Sequence, residues 1–180
     1  TYQLPGGALD RARLSSTPMT ERPPEPPTSE DRAAAVADRI RAAWADVGAP
    51  GGSLVSCPCP ECEELEAALR GVGWRDVDAA LADRHEQDLP LLDAAPYRAL
   101  LPAFLIAALD PESEVGEFVV YSLEPSEFNT PRFDGLTEAQ GAAVLAFLEL
   151  DLEECEASNP VYAEEPRRAI EEYWGRFRPR

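Results

Sequence analysis

The segment from Ala99 to Leu109 has neither a charged nor a polar side chain over eleven consecutive residues. A helix that is apolar on every face is normally buried inside a protein. The segment is too short to cross a lipid bilayer, because a membrane-spanning helix needs about 20 residues. It therefore predicts the central core helix of a globular domain, with other helices packed against it.

Pro102 lies inside this apolar segment and has no backbone N–H to donate. The carbonyl of Arg98 therefore loses its normal helical hydrogen bond, and we expect a kink at this position. Asp93 is the expected N-cap of the helix. Asp110 is its expected end, because a residue before proline disfavours helical geometry.

Helix start and stop signals recur along the rest of the chain, and no segment shows the alternating pattern of a half-exposed strand. Thr28 with Asp31, and Thr137 with Gln140, have the spacing of capping boxes. Residues 118–121 have strand propensity, but the helical spacing of the apolar residues around them favours a helix. The other helices are expected at 29–47, from Pro60 to the glycines at 71 and 73, at 75–84, after Asp110, from 137 onward and at 163–176, with a loop at 124–136.

The fold class that follows is all-α, a single-domain irregular helical bundle around the central apolar helix. Residues 29–180 are predicted to form this helical domain. Residues 1–28 are predicted to be an extended Pro-rich arm or linker, because Pro23–Pro27 favours polyproline geometry. Met19 is the only methionine, so residues 1–18 are either an upstream extension or a native start that has lost its initiator.

The chain carries 34 acidic against 16 basic residues, a formal net charge of -18. A field of this sign opposes binding to nucleic acid and to anionic membranes, and it steers a basic protein partner toward the surface. A solvated acidic surface without a partner is the alternative. The chain shows no apolar core of a secretory signal near its start, so a cytoplasmic location is predicted.

A cluster of five acidic residues within eight positions is the predicted partner-binding site, near the end of a helix. The helix dipole disfavours acidic side chains there, so a basic partner surface, a divalent cation or plain solvation must explain them. The C-terminal segment Trp174–Arg180 carries Arg and aromatic residues, and we expect it to dock onto the chain's own acidic surface or onto a partner. The cluster comprises Glu149, Asp151, Glu153, Glu154 and Glu156.

Three of the four cysteines, Cys57, Cys59 and Cys62, lie within six positions, which is typical of metal or redox chemistry rather than of a disulfide framework. Cys59 and Cys62 form a C-x-x-C pair at a helix start, where the helix dipole is expected to lower thiol pKa. A zinc site would take His85 or Cys155 as its fourth ligand. The alternatives are a reversible disulfide between Cys59 and Cys62, and reduced thiols without a function.

His85 is the only histidine, and it lies in a hydrophilic run with Asp83, Arg84, Glu86 and Asp88. This run predicts a solvent-exposed side chain rather than a metal ligand or a general base. A Ser-His-Asp or Cys-His mechanism would depend on this one residue, and no Gly-x-Ser-x-Gly motif accompanies it. An enzyme is therefore less expected than a binding protein.

Three groups of motifs stand out: Cys59-Pro-Glu-Cys62 with Leu69-Arg-Gly71 and Trp74-Arg-Asp76, the apolar segment Leu101–Leu109, and Leu136-Thr-Glu-Ala-Gln140 with Ala146-Phe-Leu148. Together they resemble a family of uncharacterised bacterial proteins of unknown function. The resemblance covers roughly residues 30–150, without the arm before Ser29 and the tail after about residue 155. It implies a stand-alone bacterial domain and brings no known activity or catalytic residue.

Two functions follow from these features. The first is a non-enzymatic acidic interaction module, such as an inhibitor or immunity-type protein that covers a basic surface on its partner. The alternative is a small zinc-binding or thiol-redox module centred on Cys57, Cys59 and Cys62. Zinc is the one cofactor that the sequence suggests.

Overall fold

The computed structural model describes residues 26–113 and 115–179, and all regular secondary structure in these ranges is helical. The predicted all-α fold is therefore confirmed. Of the predicted Pro-rich arm, residues 1–25 lie outside the described residues. The described α-helices are α1 (Ser29–Ala43), α2 (Pro60–Leu69), α3 (Ala79–Arg84), α4 (Ala94–Ala107), α5 (Val115–Ser122), α6 (Thr130–Phe133), α7 (Glu138–Ser158) and α8 (Glu164–Glu172), and short 3-10 turns lie at Trp74–Asp76, Leu89–Leu91, Pro160–Ala163 and Trp174–Phe177.

The two predicted capping boxes begin α1 and α7. The Thr28 hydroxyl accepts a hydrogen bond from the Asp31 amide at 3.1 Å, and the Asp31 carboxylate accepts one from the Thr28 amide at 2.9 Å. Thr137 and Gln140 make the same reciprocal pair at the start of α7. Each box satisfies amide groups that the first turn of a helix leaves without a backbone partner.

Helix α4 is the predicted core helix. Leu100, Leu101, Phe104 and Leu105 are fully buried in it, and it packs against α1, α3, α5 and α6. Its last residues, from Ile106 onward, are only partly buried. In the described part of the chain, no helix is both long enough and apolar enough to cross a membrane.

Pro102 lies within α4, which is continuous from Ala94 to Ala107. The carbonyl of Arg98, which has no amide donor at position 102, accepts a hydrogen bond from the indole nitrogen of Trp44 at 2.8 Å. A buried side chain from α1 thus replaces the backbone bond that proline removes. This contact joins the C-terminal end of α1 to the centre of the core.

Helix α1 ends at Ala43, four residues earlier than predicted, and residues 44–46 form a turn. The reason is long-range. The Trp74 indole donates to the carbonyl of Val47 at 3.1 Å, and the Arg75 guanidinium donates to the carbonyls of Ala45 and Val47. These donors satisfy carbonyl groups beyond the helix end, which have no helical amide as a partner.

The predicted helix at 75–84 is divided into the 3-10 turn Trp74–Asp76 and α3. Asp78 causes the division, because its side chain caps α3 by accepting from the Leu81 amide at 2.8 Å. The predicted loop at 124–136 similarly contains the short helix α6.

Helix α7 organises the C-terminal half of the molecule. It packs against α1, against α8 and against the terminal turn at Trp174–Phe177. The expected docking of the C-terminal segment on the acidic surface is observed, since Arg178 Nε donates to Glu149 Oε1 at 3.1 Å. The Phe177 ring lies so close to Gly141 that a Cβ there would be 2.4 Å from it.

Candidate functional site

The three neighbouring cysteines converge at the start of α2. Cys59 is the N-cap residue, Cys62 lies in the first turn and Cys57 precedes them on an irregular segment. Their three Sγ atoms all lie within 4.8 Å of one another. Cys57 is exposed, Cys59 is partly buried and Cys62 is fully buried. The predicted ligands Cys57, Cys59 and Cys62 are therefore brought together.

The pKa of the Cys62 thiol is raised, whereas its position at a helix start predicted a lowered pKa. Hydrogen bonding with Cys59 raises the pKa of Cys62 to about 12, and burial and contact with Cys57 act in the same direction. These effects outweigh the helix dipole, which favours the thiolate. In the absence of a cation, Cys62 is a protonated thiol at neutral pH.

His85 is not part of this group, and its predicted exposure is wrong. It caps the end of α3 and is only 6% exposed. Its Nδ1 lies 2.8 Å from Asp88 Oδ2, while its Nε2 is buried without a hydrogen-bond partner among the described residues. Charged neighbours in the sequence predicted exposure, but the chain turns directly after α3, and the ring contacts Asp88 within that turn. Cys155, the other suggested fourth ligand, lies on α7 beside Asp151.

The predicted partner-binding acids lie along the second half of α7, and four of them contact side chains of the chain itself. Glu149 binds Arg178, Glu153 pairs with Arg32, Glu154 accepts a hydrogen bond from Ser29, and Glu156 pairs with Arg167 at 2.7 Å. Exposed pairs of this kind contribute about 0–1 kcal/mol each. They join α1, α8 and the C-terminal segment to α7.

Asp151 differs from the other four acids. It lies in no ion pair of the described residues and accepts only the weak hydrogen bond from the Cys155 thiol, at 3.9 Å. Burial and the nearby charge of Glu154 raise the pKa of Asp151 to about 6. Burial and the charge of Asp151 in turn raise the pKa of Cys155 to about 11.

Asp151 and Cys155 form part of the wall of a groove beside α5. One cleft of the groove has a volume of about 360 Å³, and the adjoining cleft has about 250 Å³. They share Glu117 of α5 and Glu165 of α8. We call the two clefts together the α5 groove, and it is lined by Glu86, Gln87, Pro90, Gly116, Glu117, Phe118, Val120, Tyr121, Asp151, Cys155, Tyr162 and Glu165.

Four carboxyl groups line the α5 groove, those of Glu86, Glu117, Asp151 and Glu165. Within the described residues none of them lies in an ion pair. Burial raises the pKa of Glu165, and the charges of Glu124 and Glu117 add to the effect. The nearby charge of Arg168 acts in the opposite direction, and the groove remains a region of concentrated negative charge.

Aromatic side chains form the rest of the wall. Tyr121 and Tyr162 are each 59% exposed, and Phe118 is partly buried. Sequence reasoning missed this groove because its acids come from four separate segments. The available signal was Tyr121, an aromatic residue that lies off the buried stripe of α5.

A family model for a family of unknown function, DUF6714, matches residues 32–178. The chain belongs to this family. The match extends further toward the C-terminus than the resemblance did, so the family includes α8 and the terminal turn. Neither the curated proteins nor the solved structures contain a match to the chain.

Proposed function

We propose that this DUF6714 protein is a non-enzymatic interaction module whose α5 groove binds a basic segment of a protein partner. The observation that carries the proposal is the set of unpaired carboxyl groups in an aromatic-lined groove. An inhibitor or immunity-type protein that covers a basic surface would use such a groove. A bacterial cytoplasm suits the four free cysteines, which an oxidising compartment would tend to pair.

Charge complementarity favours a cationic occupant. Glu117 and Glu165 lie on the wall shared by both clefts, so a cation placed there interacts with both carboxylates. A bound cation would offset the charges of Glu124 and Glu117, which add to the effect of burial in raising the pKa of Glu165. The net charge of -18 would add long-range steering toward a basic partner.

The aromatic residues favour Arg or Lys side chains as the cations. A guanidinium or ammonium group over an aromatic ring gains about 0.5–1 kcal/mol at an exposed site, and more when water is excluded. The chain already uses this contact elsewhere, with the guanidinium carbon of Arg176 3.7 Å from the ring centre of Tyr173. Tyr121 and Tyr162 offer comparable rings beside the groove acids.

The shape of the groove favours a chain segment over a small molecule. Its two clefts share a wall, an arrangement that suits two side chains of one extended or helical segment. Its aromatic residues also extend onto the open surface, as interface residues do. Glu149, Glu153, Glu154 and Glu156 are less suited to partner binding, because their contacts lie within the chain itself.

The groove chemistry argues against nucleophilic catalysis. Cys155 is the nucleophilic side chain in its wall, and a pKa of about 11 leaves little thiolate at neutral pH. The adjacent Asp151 raises that pKa further instead of activating the thiol.

The test is the affinity of a fluorescein-labelled peptide of alternating Arg, Gly and Ser, measured by anisotropy at low and at physiological salt. The double variant Glu117→Gln/Glu165→Gln should bind about tenfold or more weakly, a loss of about 1.4 kcal/mol. Affinity for the unaltered protein should fall as salt increases, because exposed charges are screened.

The matched control is Glu153→Gln/Glu156→Gln, which removes two carboxylates from α7 and changes the net charge equally. Its affinity for the peptide should stay within about threefold of the unaltered protein. Equal weakening by both double variants would contradict the proposal, because binding would then follow net charge and not the groove. Binding that does not depend on salt would contradict it as well.

A further inference from the structure

We propose that Cys57, Cys59 and Cys62 form a zinc site that fastens the irregular segment before α2 to the start of that helix. The site is separate from the α5 groove, which contains none of these residues. The family description assigns no metal to the chain.

Cys59 and Cys62 lie one turn apart at the start of α2. They occupy the N-cap and the third helical position, the same two positions that Thr28 and Asp31 occupy on α1. In a capping box, the side chains at these positions face each other across the first turn. Here no side-chain capping hydrogen bond is made, and two thiols face each other instead.

Cys57 approaches these two cysteines from the irregular segment before α2. Pro58 and Pro60 alternate with the cysteines and restrict the backbone on both sides of Cys59. The preceding residues are held in place, since the Asp93 amide donates to the Leu54 carbonyl at 2.9 Å and the Ser56 hydroxyl donates to the Asp93 carboxylate at 2.7 Å. The segment is thus pre-organised, which lowers the entropy lost on binding a metal.

The spacing of the three sulfur atoms suits a zinc ion. Zinc–sulfur bonds are about 2.3 Å long, so tetrahedral zinc separates its sulfur ligands by about 3.8 Å. The Sγ atoms lie within 4.8 Å of one another, so small side-chain rotations bring them to that spacing. Three thiols favour zinc over magnesium or calcium, which prefer oxygen ligands.

Three thiols would bind one Zn²⁺ and release three protons, which leaves a zinc tris-thiolate of net charge −1. The amide groups and dipole at the start of α2 favour this negative charge. In the described residues no fourth Cys, His, Asp or Glu belongs to the group, so the fourth position is left to a water or an exogenous ligand. His85 is not the fourth ligand in this proposal.

The test is elemental analysis of the full chain purified without chelator, followed by Co²⁺ titration of the reduced, metal-free protein. We expect close to one zinc per chain and the sulfur-to-cobalt charge-transfer bands of a tetrahedral thiolate site. Cys57→Ser should weaken zinc binding by at least the 10- to 100-fold that loss of even an outer-shell partner costs. Cys57 is exposed, so this variant should retain the fold.

Cys155→Ser is the matched control, because it removes a cysteine outside the group and should leave zinc binding unchanged. Bound zinc should also protect Cys57, Cys59 and Cys62, but not Cys155, from alkylation mapped by mass spectrometry. Absence of zinc and of cobalt bands in the reduced protein would overturn the proposal. Unchanged zinc affinity in Cys57→Ser, or a Cys59–Cys62 disulfide that persists in reduced glutathione, would also overturn it.

Discussion

At the scale of single residues, the core depends on a hydrogen bond between two distant segments. Pro102 leaves the Arg98 carbonyl without its helical donor, and the Trp44 indole supplies one at 2.8 Å. The sequence showed the missing donor but not its replacement, because Trp44 lies 54 residues from Arg98. Trp44 is fully buried, and the polar atom of its indole ring supplies the donor.

The first prediction concerns this bond. Trp44→Phe should lower the free energy of unfolding by about 1–3 kcal/mol, because a buried carbonyl loses its donor. In a Pro102→Ala background, position 102 has an amide for Arg98, so the same substitution should cost measurably less. Urea denaturation of the four proteins gives the double-mutant cycle. Equal costs in the two backgrounds would show that the indole hydrogen bond is not what stabilises the core.

At the scale of elements, local signals identified the helices well and their ends less well. The capping boxes fixed the starts of α1 and α7 because all of their atoms lie within four residues. The end of α1 was misplaced because Trp74 and Arg75, about 30 residues away, bind the carbonyls of Ala45 and Val47 in the turn that follows the helix. His85 was misjudged because its charged neighbours indicated exposure, whereas the ring is buried and lies 2.8 Å from one of them, Asp88.

The second prediction concerns Gly141 in α7. Alanine normally stabilises a helix interior relative to glycine by about 1 kcal/mol. Here the added Cβ would lie 2.4 Å from the Phe177 ring, so Gly141→Ala should instead destabilise the protein by about 1–3 kcal/mol. Thermal denaturation measures the change, and limited proteolysis should show a more accessible C-terminal segment.

Phe177→Ala provides the control for this prediction. With the ring removed, adding Gly141→Ala should stabilise the protein, because only the helix propensity remains. If Gly141→Ala destabilised both backgrounds equally, the packing of the terminal turn on α7 would not be the cause.

At the scale of the whole molecule, two groups of acids have different surroundings. Three acids of α7 pair with Arg32, Arg167 and Arg178, and so hold helices together. The acids of the α5 groove lie in no ion pair among residues 26–113 and 115–179. Composition predicted a basic partner, but only the folded arrangement distinguishes the paired acids from the unpaired ones. The clustering of the three cysteines was predicted correctly, because all three lie close to the start of one helix.

The third prediction concerns pH. Because the pKa of Asp151 is about 6 in the folded protein and ordinarily 3.8, the folded state binds its proton more tightly than the unfolded state does. This group therefore adds stability as pH falls from about 6 toward 3.8, and the gain is absent above pH 6. Asp151→Asn should be more stable than the unaltered protein at pH 7, by on the order of 1 kcal/mol.

Denaturation of both proteins between pH 7 and about pH 5 measures this difference, which should shrink as Asp151 takes up its proton. Glu153→Gln is the control, because its carboxylate is exposed and paired with Arg32. A constant difference between Asp151→Asn and the unaltered protein across this range would contradict the assignment of a raised pKa to Asp151.

NMR spectroscopy locates the surface on which a basic peptide binds. Titrating the Arg-containing peptide into isotope-labelled protein should shift the backbone NMR signals of Glu117, Phe118, Tyr121, Tyr162 and Glu165. These shifts should saturate together, and the signals of Glu153 and Glu156 should change little. Shifts that centre on Glu153 and Glu156, or that spread evenly over all exposed acids, would contradict peptide binding in the α5 groove.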